Sequence, residues 1–249
     1  MGLLGRYRGW FRNRDEYMRY RRAYRAWRAA NPASPFADFY VQESIDRIDE
    51  SPSSYLPGLG ERPDWGERRA DGILARLRAA GLAPHHLCVD YGCGSLWVGE
   101  AVMSYLQPDR YIGLDLIDRF YTAALARLPP DLVETRRPVF HVISERSLDE
   151  VKARAPDFVF STGVFLHVPP AEMDNFFARL TSIAAPGSRI FVGHKTGLYS
   201  CQRNPRVWRH GRRAIIASLA KLGYSARFPK TGGKSESQMF QILPRGQDA

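Results

Sequence analysis

Apolar positions along this chain switch period repeatedly. Short stretches of four to six mostly apolar residues alternate with longer ones in which apolar positions recur every three or four. The short stretches read as buried strands and the longer ones as helices lying on a core. Strands are predicted over 87–91, 111–114, 139–143, 157–161, 189–193, 224–228 and 238–243. Helices are predicted over 96–106, 119–128, 148–155, 171–184 and 209–222. Pro129-Pro130 stops the second of these helices and Pro186-Gly187 closes the fourth. A helix over 66–80 comes before them, with Ile73, Leu74 and Leu77 at helical spacing and Gly81 as its C-cap. Strands alternating with helices predict an α/β fold, a mostly parallel sheet with helices on both faces. There is no internal repeat, which excludes a solenoid.

The first 64 residues follow another pattern. From about residue 6 to residue 30 the chain is free of proline and helix-compatible, and Asn31-Pro32 stops it. Trp10, Tyr17, Tyr20, Tyr24 and Trp27 fall on one stripe, with arginines over much of the remaining surface. Tyrosine and arginine in place of leucine argue against an ordinary interior helix. Such a helix lies in a membrane interface, covers an active site as a lid, or packs its aromatics on a partner. Residues 31–64 carry Pro32, Pro35, Pro52, Pro57 and Pro63 and read as an irregular connection around a short helix near 38–48. The predicted division is therefore 1–64, a basic aromatic helix with a proline-rich linker serving as lid or docking element, and 65–249, the α/β domain.

Composition and charge add to this picture. A chain of 249 residues, 44% of them apolar, can bury a sizeable core. No apolar run approaches the roughly 20 residues of a membrane span, and the start has no secretory h-region, so a soluble cytoplasmic chain is expected. The net charge of +10 is concentrated at the two ends, with +7 in residues 1–30 and +8 from Arg203 onward, leaving −5 between them. Basic ends favour an anionic acceptor, an anionic membrane face or nucleic acid. Peripheral contact with the inner face of a membrane through residues 6–30 is one expectation that follows. Cys88, Cys93 and Cys201 have no zinc spacing and read as reduced thiols.

Candidate chemistry gathers at Val89-Asp90-Tyr91-Gly92-Cys93-Gly94-Ser95, where a strand turns through two glycines into a helix. Glycine lets a ligand approach the backbone at the amino end of that helix. About twenty residues on, the second strand ends in Asp115, followed by Leu116. A carboxylate there can accept hydrogen bonds from both hydroxyls of a ribose. The two features indicate an adenosine-type cofactor. A dinucleotide would want a third glycine at 97, which is Trp97, with Gly99 two places late. Asp90 would repel a pyrophosphate and attract a cationic amino acid moiety. S-adenosylmethionine fits better than a dinucleotide.

VDYGCGS followed by IGLD resembles the first two cofactor motifs of class I S-adenosylmethionine-dependent methyltransferases, and the resemblance runs from roughly Asp71 to the C-terminus. A narrower likeness is to a bacterial subgroup, often glycan-associated, with a GCGSL turn, a Y-x-G-x-D second strand and a fourth-strand motif similar to GVFLHVPP. This chain departs from that subgroup at Trp97 and at Gly193-His194. The resemblance implies a Rossmann-like seven-stranded sheet with an antiparallel last strand. It also implies a cofactor site of Asp90, Gly92, Cys93, Gly94, Ser95, Asp115 and Leu116, with Cys93 as a small packing residue. The family's adenine contact after the third strand falls on Ser144 or Glu145, and Ser161 and Thr162 stand at the end of the fourth strand.

Methyl transfer to a hydroxyl needs an aligned acceptor and a base. His167, within GVFLHVPP, and His194, at the end of the fifth strand beside Lys195, are the candidate catalytic residues, with Tyr199 a third. His167 can instead support the cofactor loop, and His194 can be a loop histidine. No Asn/Asp-Pro-Pro-Tyr/Phe follows the fourth strand, which disfavours nucleobase amino groups, and no metal set has usable spacing. The expected activity is O-methylation of a saccharide or related polar metabolite, free or part of an anionic or lipid-linked glycan. Methylation of RNA or protein, or a non-catalytic cofactor-fold protein docking on an anionic partner, are the alternatives. The sequence leaves the oligomeric state open.

Overall fold

The computed structural model describes residues 18–50, 64–194, 196–197, 199–204, 206–229 and 238–246. Trp10, Tyr17 and Lys195 lie outside these residues. Ten strands are described: β1 (Cys88–Tyr91), β2 (Tyr111–Asp115), β3 (Val139–Val142), β4 (Phe158–Ser161), β5 (Arg189–His194), β6 (Thr196–Gly197), β7 (Cys201–Asn204), β8 (Val207–Gly211), β9 (Tyr224–Arg227) and β10 (Gln238–Pro244). Seven of them form one sheet in the order β3-β2-β1-β4-β5-β10-β9. The first five are parallel, and β10 runs antiparallel to both β5 and β9. Each of the seven starts and stops within a residue of its predicted bounds. Every residue of β1, β2 and β4 is buried, as expected where helices cover both faces of a parallel sheet.

The helices are α1 (residues 18–30), α2 (Phe36–Glu50), α3 (Asp64–Ala79), α4 (Trp97–Tyr105), α5 (Asp118–Leu125), α6 (Pro130–Arg136), α7 (Glu145–Ala153), α8 (Met173–Ser182) and α9 (Arg212–Lys221). Alternation along the strands divides the core. Val89, Tyr91, Ile112 and Leu114 pack with residues of α7, α8 and α9 on one face. Cys88, Tyr111, Phe158 and Phe160 pack with residues of α3, α4 and α5 on the other. None of the described helices is long and apolar enough to cross a membrane.

Three features differ from expectation. Pro130 opens α6 at its first turn, where a missing N–H costs nothing, so the proline pair both stops one helix and starts the next. The helix expected from 209 begins at Arg212, because Val207–Gly211 is strand β8 of a small sheet ordered β6-β8-β7 inserted after β5. The stretch around 38–48 is a 15-residue helix that is part of the packed structure. On α2, Ile48 is fully buried against Ile117, while Phe36 and Phe39 meet the rings of α1. Tyr20, Tyr24 and Trp27 each lie 5.0–5.5 Å, ring to ring, from Phe39. This part of the aromatic stripe is therefore satisfied within the chain. Arg19, Arg22 and Arg25 remain exposed.

The burial of Ile48 gives a direct test of how α2 is held. Ile48→Ala should lower the unfolding free energy by about 2 to 5 kcal/mol, the range for emptying a buried isoleucine site. Urea unfolding of the purified chain measures this.

Candidate functional site

The site is built on the turn after β1. Gly92 and Gly94 have φ of +83° and +51°, and Leu96, φ 59°, leads into α4. A Cβ on Gly92 would stand 2.0 Å from Val164 Cγ2, so position 92 must be glycine both for its backbone and for the seat of Val164. At Gly94 nothing lies within 4 Å of where a Cβ would point. That side of the turn borders a cavity of about 560 Å³.

Two of the carboxyl groups that line the cavity, Asp90 and Asp115, stand beside this turn. Asp115 braces the turn: its Oδ2 accepts the Gly94 N–H at 2.8 Å and its Oδ1 accepts the Ile117 N–H at 3.1 Å. Burial lifts its pKa to about 6, with the backbone donors pulling the other way. Asp90 is only 2% exposed and accepts a hydrogen bond from the Tyr111 hydroxyl at 2.9 Å. Burial raises it to about 7, opposed by the Tyr111 hydrogen bond and reinforced by the charge of Asp115. Tyr111 reaches Asp90 because α4 presents Gly99 there, where a Cβ would come 2.5 Å from the tyrosine oxygen. The glycine two places late for a dinucleotide motif is thus needed for packing.

The far wall comes from the segment after β4 and from α2. Thr162, Val164, His167 and Val168 line one side, and Phe36, Ala37 and Tyr40 of α2 line another, with Trp97, Ile143 and Arg206 completing the enclosure. His167 closes a short 3-10 turn, Phe165–His167, and its Nδ1 is 2.6 Å from the Arg206 carbonyl. A carbonyl only accepts, so Nδ1 carries the proton and Nε2 keeps its lone pair. Burial pushes the His167 pKa down to about 4, which leaves the ring neutral near pH 7.

Of the residues singled out from sequence, Asp90, Gly92, Cys93, Gly94, Ser95, Asp115, Leu116, Thr162 and His167 all line this one cavity. Cys93 is buried, and its Sγ lies 3.1 Å from where a Cβ on Gly113 would stand, a packing position. Ser144 caps α7 instead, its Oγ accepting the Ser147 N–H at 3.1 Å. Glu145 faces outward, 82% exposed and paired with Arg179 at 2.7 Å, and borders a smaller adjoining cavity. Ile143 is the residue from the end of β3 that reaches the main wall. Ser161 is fully buried and off that wall. His194 is 2% exposed and lies against Phe228 and Phe240, at ring separations of 5.5 and 4.9 Å, also off the wall. Tyr199 is 82% exposed.

Sequence reasoning did not single out Tyr111, Ile143, Tyr40 or Arg206. The available signal was slight: a tyrosine opening the second strand, and an acidic residue on α2, Glu43, that can pair with a distant arginine.

Comparison with protein-family models and with curated proteins returns no match. Solved structures do resemble this one. Magnesium protoporphyrin IX methyltransferase (ChlM) from Synechocystis PCC 6803, with bound SAH, superposes with a TM-score of 0.58 at 19% identity, over 84% of this chain and 98% of that one. A DhpI–SAH complex gives 0.54 at 16% identity, over 84% and 96%. The methyltransferase domain of bacterial CtHen1-C gives 0.50 at 18% identity, over 72% and 97%. The mixed α/β fold, with its seven-stranded and mostly parallel sheet, is thus the Rossmann-like fold that these solved methyltransferase structures share.

Proposed function

We propose that this chain binds S-adenosylmethionine and transfers its methyl group to an oxygen of a saccharide or related polar metabolite. The observation that carries the reading is the pairing of Asp90 and Asp115 across one glycine turn that opens onto a cavity. The residues suit this cofactor. The open side of Gly94 admits a ligand against the backbone, Asp115 offers lone pairs to ribose hydroxyls, and Asp90 offers a buried anion to a cationic amino group. When bound, the cofactor supplies a methyl group activated by a sulfonium. It is consistent with this reading that the ChlM and DhpI structures contain SAH, or SAM in a second ChlM structure.

The base in this reading is His167. Its Nδ1–H is held by the Arg206 carbonyl, so Nε2 is oriented to take the proton that the acceptor hydroxyl loses as its oxygen is methylated. The same carbonyl then stabilises the charged ring. Tyr40 and Trp97 give the acceptor flat faces to pack against. The helical pair α1–α2 serves as a lid over this wall, and the basic ends draw in an anionic or lipid-linked glycan.

The general test is to give labelled cofactor and the protein to a cell extract fractionated into glycan, lipid, RNA and protein, with label expected in the glycan or polar-metabolite fraction. Asp115→Ala should weaken cofactor binding by about 1 to 3 kcal/mol in calorimetry, the range for losing a charge-assisted hydrogen bond.

Cofactor binding should also depend on pH. Asp90 and Asp115 must be ionised to hold the cofactor but titrate near 7 and 6 in the free protein. Affinity should therefore rise from pH 5 to pH 8, with protons released on binding, and should fall roughly tenfold per pH unit between 7 and 6 and up to about a hundredfold per unit below 6, where both carboxyls must lose a proton. Stability of the free protein runs the other way. A carboxyl raised on folding binds more protons in the native state, so its contribution is present at low pH and lost as pH rises through 6 to 7. Calorimetry in buffers of different ionisation enthalpy and thermal melts across pH 5 to 8 check both signs.

Finally, His167→Ala should cut turnover by roughly 100-fold while cofactor affinity is kept. Single-turnover methyl transfer to the labelled fraction measures the first and calorimetry the second.

A further inference from the structure

Arg206 touches three parts of the molecule that are far apart in sequence. Its guanidinium is 2.8 Å from Glu43 on α2, and Glu43 also pairs with Arg47 one turn along. The same guanidinium lies over the ring of Tyr20 on α1, 5.7 Å from its centroid. Its backbone carbonyl holds His167 Nδ1 at 2.6 Å. The ion pair is well shielded, with Arg206 and Glu43 side chains 18% and 13% exposed, so it is screened less than a surface pair. Tyr40, one turn before Glu43, places its ring 5.9 Å from that of His167.

We propose that Arg206 is a positioning residue that couples seating of the α1–α2 helices to the orientation of His167. The inference rests on the reading of His167 as base. With the helices seated, Glu43 and the Tyr20 ring fix the Arg206 side chain, its carbonyl takes the Nδ1 proton, and Nε2 is held toward the cavity. When the helices lift, the guanidinium loses its anchor and the carbonyl its fixed place, while water reaches the imidazole past Tyr40. The base is aligned only when the roof is on, so proton removal and exclusion of water occur together.

Among the described residues, Tyr40 and Arg206 contact His167, Glu43 pairs with Arg206, His210 bonds the Phe165 carbonyl two residues before it, and Glu172 lines the same cavity. Burial, rather than the charge of any of these, lowers the His167 pKa. Lifting the roof should therefore raise it.

The test is ¹⁵N NMR of the free, histidine-labelled protein across about pH 3 to 8, spanning the lowered and the unperturbed histidine values, with His167→Ala to assign the signal. Wild type should show His167 protonated at Nδ1 and titrating near 4. Arg206→Met and Glu43→Gln each keep the carbonyl but remove the anchor. Both should lose the single Nδ1–H tautomer and move the titration toward about 6.5, the unperturbed value, with Arg206→Lys restoring most of the wild-type behaviour. Calorimetric cofactor affinity near wild type certifies that a variant is folded, and if Arg206→Met does not fold, Glu43→Gln decides alone. An unchanged tautomer and titration in the folded variants overturns the coupling and leaves the proposed function standing. Wild-type protein that binds no S-adenosylmethionine overturns the proposed function, and the role of Arg206 with it.

Discussion

Asp90 is an acid on a strand with neighbours on both sides, and the hydrogen bond from the Tyr111 hydroxyl is what compensates its burial. Much of the surrounding structure follows from keeping that contact. Tyr111 can reach across only where α4 shows a residue without a side chain, which is Gly99. For α4 to begin early enough to place Gly99 there, the chain must leave β1 and turn within a few residues, using left-handed backbone at Gly92, Gly94 and Leu96. The first of these glycines leaves the space that Val164 fills, so the segment after β4 is drawn onto the turn. Asp115 closes the arrangement by holding the Gly94 N–H. Two acids and a strained turn are thus kept ready in the same place, at a cost to the free protein that a cationic ligand would offset.

The parts legible in sequence are those whose signal is local. The strands were legible because a parallel sheet buries both faces and leaves apolar runs, as in Leu87 to Val89 and Phe158 to Phe160. The glycine turn and the acid at the end of β2 were legible because their chemistry depends on spacing. What escaped notice depends on contacts between distant residues. Ile48 marks α2 as core only once Ile117 is beside it. Strands β6 to β8 are short and polar, with a backbone that becomes a sheet because it closes on itself. At the end of β3, one step of register separates Ile143, on the wall, from Ser144, turned to cap a helix. His167 and His194 both follow strand ends in sequence. What distinguishes them is a carbonyl 39 residues away for the first and a pair of phenylalanines for the second.

Helices α1 and α2 show how an unusual composition resolves in three dimensions. An arginine- and tyrosine-rich helix has little to offer a leucine core, but its rings can meet the phenylalanines of a neighbouring helix and form a small aromatic cluster of their own. The pair is then fastened by polar contacts at its edges: Glu172 accepts the Phe36 N–H at 3.1 Å and pairs with Arg28 at 3.8 Å, and Glu43 meets Arg206. Helix α2 and the elements around the sheet meet across the cavity, so its shape is a property of both.

The insertion after β5 bears on how this fold could be re-engineered. In many modular designs a variable insert is exchanged to alter what a conserved scaffold acts on. Here the insert also supports the wall of the cavity itself. His210 stacks on Phe165 at 4.4 Å and donates its Nε2–H to the Phe165 carbonyl at 3.2 Å, underpinning the turn that ends in His167, while Arg206 holds the imidazole itself. A chimaera that replaced residues 196–211 alone would remove both supports along with any specificity determinants. A graft that respected this architecture would have to carry the insert, the segment from Gly163 to Val168 and helices α1–α2 as a single block, leaving the recipient only its sheet and the glycine turn.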